Sequence, residues 1–231
     1  RFTAYCTGSA EFDRACELVK EELEQADKRY NLYRPDSELA HINAGAGEGP
    51  VPVDREVAAA IETCRAWQEK SPAVNIAMGS VLALWHTARQ TGEPPAQAAI
   101  DEAMGHISIQ AVDVAWTGDG AWVELADPDM SLDMGGVAKG LAAQSIADKL
   151  AQSGISVFLL DCGTSTLVCA GVPPGKEGWS VAVRNPDAEL NLSGVADPPE
   201  TLGQIIVKDR CIGTSGANQK YLEKNGIFYS H

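Results

Sequence analysis

Residues 132–150 read LDMGGVAKGLAAQSIADKL, which places a carboxylate, two glycines and a lysine around a turn that opens an amphipathic helix. The glycines permit backbone angles closed to other residues. A helix N-terminus offers unpaired N–H donors and about half a positive charge, so an anion is stabilised there, and Lys139 adds a full charge. Asp133 repels a phosphate but suits a magnesium ion, a ribose hydroxyl or a ring N–H beside one. The chemistry indicated is the holding of a phosphate-bearing ligand with a metal ion. The same pattern also suits a plain turn in which Asp133 caps the helix and Lys139 is solvated. Gly140 leans toward the ligand, because a glycine in the first turns of a helix costs about 1 kcal/mol relative to alanine and points to close backbone approach.

Two further turns combine glycine with hydroxyls, DCGTST at 161–166 and GTSG at 213–216. Each follows an apolar run, so each is expected at a strand end where backbone N–H groups can face a ligand. Singly they also suit hairpin closures; three in one chain carry more weight. YRPDSELAHIN at 33–43 offers an aromatic face at Tyr33 and a cap for a following helical turn at Ser37. The histidines at 41, 86, 106 and 231 have no metal-ligand spacing among themselves. His231 differs in following an apolar run, IFYS.

Composition limits the partners. The chain has 18 Lys and Arg against 32 Asp and Glu, a net charge of −14. Such an excess argues against a sequence-independent nucleic-acid binder and against docking on anionic lipid. An anionic ligand is repelled at long range, so a bound divalent cation or a cluster of backbone N–H groups has to reverse the sign locally. The six cysteines form no C-x-x-C pair and no regular framework. No apolar run approaches the roughly 20 residues needed to span a bilayer. The sequence begins at Arg1 without a methionine, which is compatible with a removed signal or lipoprotein leader.

These chemical groups need elements to position them. Phe12, Cys16, Val19, Leu23, Ala26 and Tyr30 recur at steps of four and three, the period of an amphipathic helix with those residues inward. A second helix is expected from an Asp54 cap, and a third over GSVLALWHTARQTG, with Val81, Leu84, Trp85 and Ala88 inward before Gly92. Short apolar runs then follow: DVAWT, AWVEL, ISVFLLD, TLVCAG, WSVAVRN, QIIVKD and IFYSH. Turn residues separate them, so they read as strands, several in hairpins, with one helix inserted after Gly136. The strand before Asp133 is expected to end near Leu132. This is no regular βαβ alternation, and the fold class expected is α+β, two-lobed, with mixed but largely antiparallel sheets flanked by helices. The segment 185–199, rich in Pro, Asp and Gly, reads as an exposed loop.

In order along the chain, these stretches resemble the ApbE-type flavin transferases, formerly described as thiamine-biosynthesis lipoproteins. YRPDSELAHIN is similar to the family's Tyr, Ser, Asn pattern. VNIAMGSVLALWH is similar to its Phe-Asp-x-Thr-x-Gly segment followed by Leu and Trp. DMGGVAKG resembles Asp-Leu-Gly-Ala-Ile-Ala-Lys-Gly, DCGTS its Gly-Gly turn, and GTSGANQKY with FYSH its Thr-Ser-Gly, tyrosine and Tyr-Ser-His order. These motifs run from Tyr33 to His231.

The resemblance implies that FAD is the substrate and that Tyr33, the backbone of Ala73, Val74 and Asn75, and the side chains of Asp133 and Lys139 contact it. It implies that the Gly136 carbonyl helps to bind Mg2+ and that His231 is the catalytic base. The activity implied is transfer of FMN from FAD to a Thr or Ser hydroxyl of an acceptor flavoprotein subunit, with release of AMP. The alternatives are a FAD pyrophosphatase giving FMN and AMP, and a non-catalytic flavin-binding protein. The implied location is the extracytoplasmic face of a bacterial cytoplasmic membrane, with a lipid anchor outside the present sequence.

Three departures stand out. Val74-Asn75-Ile76-Ala77 replaces the family's Phe-Asp-x-Thr, and Thr164 replaces the second glycine of the Gly-Gly turn. The family's pattern also continues past Tyr-Ser-His with an Asp and a Thr that complete the metal site. A single ApbE-like domain over 1–231 that lacks its C-terminal segment is therefore the expectation.

Overall fold

The structure, a computed structural model, describes residues 1–163, 165–190, 194, 196–216 and 221–230, the side chains of 189, 190 and 230 excepted. The elements begin with β1 (Phe2–Ala4), α1 (Ser9–Tyr30), α2 (Glu38–Ala44), β2 (Val51–Val53), α3 (Arg55–Lys70), α4 (Gly79–Thr91), α5 (Gln97–Ala103), β3 (Val112–Trp116) and β4 (Ala121–Leu125). They continue with α6 (Ala138–Gln152), β5 (Phe158–Asp161), β6 (Thr166–Ala170), β7 (Trp179–Arg184), α7 (Asp187–Leu190), β8 (Thr201–Val207), β9 (Arg210–Gly213), β10 (Tyr221–Lys224) and β11 (Ile227–Ser230). Every strand pairing with a described register is antiparallel, in agreement with the α+β expectation. The chain divides into two compact units, one of Arg1–Leu23 with Lys139–Tyr221 and one of Glu24–Ala138 with Leu222–Tyr229. Among the described residues no helix is long and apolar enough to cross a membrane.

In the first unit a sheet of order β1-β5-β6-β9 is covered on both faces. Alternation sends Phe158, Leu160 and Val168 to one face, where they meet Ile146 and Leu150 of α6 and Ala15 and Val19 of α1. Leu159, Cys169 and Ile212 face the other way, against Trp179, Val181 and Val207 of the β7-β8 ribbon. The Trp179 indole N–H donates to the Ala170 carbonyl at 3.0 Å, which satisfies the polar edge of an otherwise apolar contact. Burying each such aliphatic or aromatic side chain stabilises the unit by roughly 1.5–3 kcal/mol.

The inward face of α1 differs from the periodic reading. Ala15, Val19 and Glu22 are its buried residues, while Leu23 is 45% exposed. The cause is polar: the Glu22 carboxylate accepts from the Ser145 hydroxyl at 2.6 Å and from the Lys149 ammonium, so α6 draws a charged residue inward.

In the second unit β2, β4 and β3 form a sheet in that order. Its core holds Leu39, Ile42, Val57, Ile61, Ile109, Val112, Val123 and Leu125, all at most 1% exposed. Two helix ends follow the sequence: Ser37 Oγ accepts from the Ala40 N–H at 3.0 Å, and Gly92 ends α4 in the left-handed region at φ 74°. Asp54 is the N-cap of α3 in position only, because its carboxylate is 3.4 Å from Arg29 and makes no cap hydrogen bond. In α4, Val81 and Ala88 are buried, and Trp85 instead stacks on Tyr229 with ring centroids 5.6 Å apart.

Two other expectations need correction. The 185–199 loop carries the short helix α7, and a buried Asn185 pins its ends: the Asn185 N–H donates to Glu200 O and its side-chain amide to Pro199 O. The strand expected to end near Leu132 is reduced to one parallel bridge, Met78 with Ser131. The strands β1, β2, β9 and β10, three or four residues each, had no apolar alternation long enough to mark them.

Candidate functional site

The carboxylate of Asp133 is held in a frame built from three sequence motifs. Leu132, fully buried, donates its N–H to Asn43 Oδ1 at 2.8 Å and accepts at its carbonyl from Asn43 Nδ2 at 2.9 Å. One amide side chain thus satisfies both backbone groups, as a neighbouring strand would. The Asp133 N–H donates to Ile76 O at 2.7 Å, and the Gly79 N–H to Ser131 O at 2.9 Å. Gly79 is needed there because a Cβ would lie 2.5 Å from the Ser131 carbonyl oxygen. Asn43, Ile76 and Gly79 therefore fix the backbone immediately before and at Asp133.

The Asp133 side chain then folds over its own turn. Its Oδ1 accepts the Gly135 N–H at 2.6 Å, and a Cβ on residue 135 would come within 2.9 Å of that oxygen. The first glycine of the pair thus makes room for the carboxylate. Met134 O accepts from the N–H groups of Val137 and Ala138, and α6 starts at Ala138, one residue later than expected. Asp133 caps this turn rather than the helix. Gly135, Gly136 and Gly140 are exposed. Among the described residues a Cβ on Gly136 or Gly140 would meet nothing within 4 Å.

Asn75 explains the departure from the family's Asp. Its Nδ2 donates to Ile107 O at 2.8 Å while Oδ1 accepts the Ala77 N–H at 2.9 Å. An ionised carboxylate has no donor for that first bond. Ala73 is exposed and Val74 half-buried, in a turn closed by the Val74 N–H to Ser71 O at 2.9 Å. Tyr33, also in the second unit, leans on His86 of α4 with ring centroids 5.3 Å apart.

The first unit holds the other charged element. Lys139 Nζ donates to Ser165 Oγ, and the Thr214 N–H donates to Ser165 O at 2.8 Å. The DCGTST turn is closed by the Cys162 N–H to Thr166 O at 2.9 Å, with Gly163 at φ 75°. The lysine of the first motif and the two glycine-hydroxyl turns thus converge. Nothing in the local sequence marks Ser165 or Asn43 by itself as a site residue; their partners 26 and 89 residues away give them a role. Thr164 and His231 lie outside the described residues.

A separate cluster joins His106, Asp127 and Asp129, whose ligand atoms lie within 4.8 Å of one another. Spacing among the histidines did not reveal it, because the partners are carboxylates from another segment. His106 Nδ1 is 2.7 Å from Asp127 Oδ2, a hydrogen bond that raises the histidine's pKa and lowers the aspartate's. A raised histidine stabilises the fold fully below its unfolded value of about 6.5, and that contribution is lost as pH rises through the higher folded value. The lowered aspartate stabilises above its ordinary value of about 3.9, and its share is lost as pH falls through the lower folded value. The pair is therefore strongest between about pH 4 and 6.5. In an NMR titration His106 is expected to titrate above 6.5, and Asp127→Asn to bring it down; an unchanged midpoint would exclude the pairing.

Residues 2–231 match the ApbE family. The chain belongs to this family. It is 34% identical over 232 residues to the FAD:protein FMN transferase of Treponema pallidum (strain Nichols), covering 96% of this chain and 62% of that protein. It is 27% identical to the FAD:protein FMN transferase of Salmonella typhimurium, covering 94% of this chain and 61% of that one. The chain thus spans about three-fifths of the length of these curated relatives. Its fold is that of the flavin transferase ApbE from Vibrio cholerae, with a TM-score of 0.77 at 19% identity over 99% of this chain and 70% of that one. The apo flavinyl transferase ApbE of Pseudomonas stutzeri gives a TM-score of 0.75 at 24% identity over 98% of this chain and 65% of that one. The ApbE motifs and the frame around Asp133 coincide: Asn43 and Gly79 occupy family-pattern positions and meet backbone there, and Gly135 occupies another beside the Asp133 carboxylate.

Proposed function

We propose that this protein transfers FMN from FAD to a Thr or Ser hydroxyl of an acceptor protein and releases AMP. The observation that supports this reading best is the convergence of Lys139, Ser165 and the Thr214 turn, which brings a cation to a hydroxyl and a second glycine-containing turn within a chain of net charge −14. An anionic dinucleotide needs such a local reversal of sign. The names of the relatives, FAD:protein FMN transferase, agree with it.

In the reaction the acceptor oxygen forms a bond to the flavin-side phosphorus while the bond from that phosphorus to the AMP oxygen breaks. The acceptor proton must leave, and His231 is the group assigned to take it, since an imidazole needs little tuning near neutral pH. Lys139 offsets charge on the pyrophosphate. Asp133, fixed by its turn, orients a polar group of the ligand. Magnesium suits the exposed Gly136 turn, because that ion takes few protein ligands and keeps waters and substrate phosphates. The Gly136 carbonyl would hold it, and when bound it would neutralise developing charge at phosphorus. The outer face of a bacterial cytoplasmic membrane remains the location that goes with this reading.

The test is incubation of the full-length protein with FAD, magnesium and an acceptor fragment, followed by analysis of AMP and covalent flavin. Flavin on the acceptor and AMP in equal amounts are expected. AMP and free FMN regardless of acceptor would identify a pyrophosphatase, and intact FAD a binding protein. Asp133→Ala is expected to weaken FAD or magnesium binding by about tenfold or more, the loss of one charge-assisted contact. Unchanged binding of both would reduce Asp133 to a turn cap.

A further inference from the structure

Tyr33 is 69% exposed, more than any other large apolar or aromatic side chain among the described residues. An aromatic ring so open to solvent would normally sample several rotamers. Here its backbone is tied down, with the Tyr33 N–H donating to Asn31 Oδ1 at 2.9 Å. Its ring is backed by the His86 imidazole, tilted 35° at 5.3 Å between centroids, with the phenol oxygen 3.5 Å from Nδ1. His86 is itself held, since its Nε2 lies 3.0 Å from the side-chain amide nitrogen of Gln90, one turn further along α4. His86 is half-buried, and neither the metal spacing nor the assigned chemistry uses it.

We propose that His86 is a positioning residue: braced by Gln90, it fixes the Tyr33 ring as a platform on which a planar ring of the bound dinucleotide stacks. This rests on the reading of the protein as a FAD-binding enzyme. The exposure of Tyr33 locates the platform, because one side of the ring meets the imidazole while most of the side chain remains accessible. A ligand ring then finds the tyrosine already ordered, which removes the ordering cost from binding. The ring contact is the larger part of the brace, since 3.5 Å is long for a hydrogen bond from a hydroxyl.

The test is titration of the full-length protein with FAD, FMN and AMP by calorimetry, using Tyr33→Ala, His86→Ala, His86→Phe and the Tyr33→Ala/His86→Ala double variant, with melting curves as a check on folding. Tyr33→Ala is expected to weaken FAD binding by about tenfold or more, the loss of one stacked ring. His86→Ala is expected to weaken it about three- to tenfold, as for loss of an aromatic pair, and His86→Phe to restore it to within about twofold of wild type. In the double variant the His86 change is expected to have no further effect, because it acts through Tyr33. The loss should recur with FMN alone or AMP alone, whichever carries the stacked ring. Wild-type affinity in His86→Ala, an equal loss in both backgrounds, or failure of His86→Phe to restore binding would each overturn the proposal while leaving FAD binding intact. A wild-type protein that binds none of the three would overturn the functional reading and the platform together.

Discussion

Asn43→Ala is expected to destabilise the protein by about 2–6 kcal/mol, because it strands a buried N–H and a buried carbonyl at about 1–3 kcal/mol each. Both groups belong to Leu132, which is fully buried and has Asn43 as its partner on either side of the amide. Such a loss is a large fraction of the 5–15 kcal/mol, roughly, that holds a typical domain together. FAD binding should fall with it, since Asp133 is the next residue and its position depends on that segment. Asn43→Asp provides the sharper comparison: it keeps an acceptor for the Leu132 N–H but faces the Leu132 carbonyl with a second acceptor. It is therefore expected to be no more stable than Asn43→Ala near neutral pH. Urea melts of the three proteins decide the point, and midpoints equal to wild type would show that the clamp contributes nothing.

His231→Ala is expected to lower the rate of flavin transfer by about 10²–10⁴-fold, the usual range for removing a general base. FAD affinity should stay within about twofold of wild type, because a group that acts on the acceptor proton contributes mainly to the transition state. His231 lies outside the described residues, so the chemistry and the family motif carry this prediction. The measurement is fluorescence of flavin on the acceptor fragment against time at saturating FAD and magnesium. Equal initial rates in the two proteins would remove His231 from the mechanism. A parallel loss of FAD binding would make it a binding residue instead.

These two expectations draw on different sources. The role proposed for His231 comes from a motif and from what the proposed phosphoryl transfer requires. The role of Asn43 comes from geometry that no local pattern contains, because its partner lies 89 residues along the chain. Other site contacts behave similarly: Tyr33 meets His86 across 53 residues, Lys139 meets Ser165 across 26, and His106 meets Asp127 across 21.

Local sequence decided the helices α1, α3 and α4, the Ser37 cap and the Gly92 stop, since periodicity and capping act within a few residues of each other. It also decided the order of motifs that marks the family. Tertiary structure decided the rest. It turned Glu22 inward toward Ser145 and Lys149, reduced the segment before Asp133 to one bridge, and gave Asn75 a carbonyl to bind. It also recruited β1 and β9, too short to announce themselves, to the two edges of the first unit's sheet. The physical reason is that periodicity and capping act between residues a few positions apart, whereas which side chains are buried and which groups they bond follow from the segments that the whole topology places side by side.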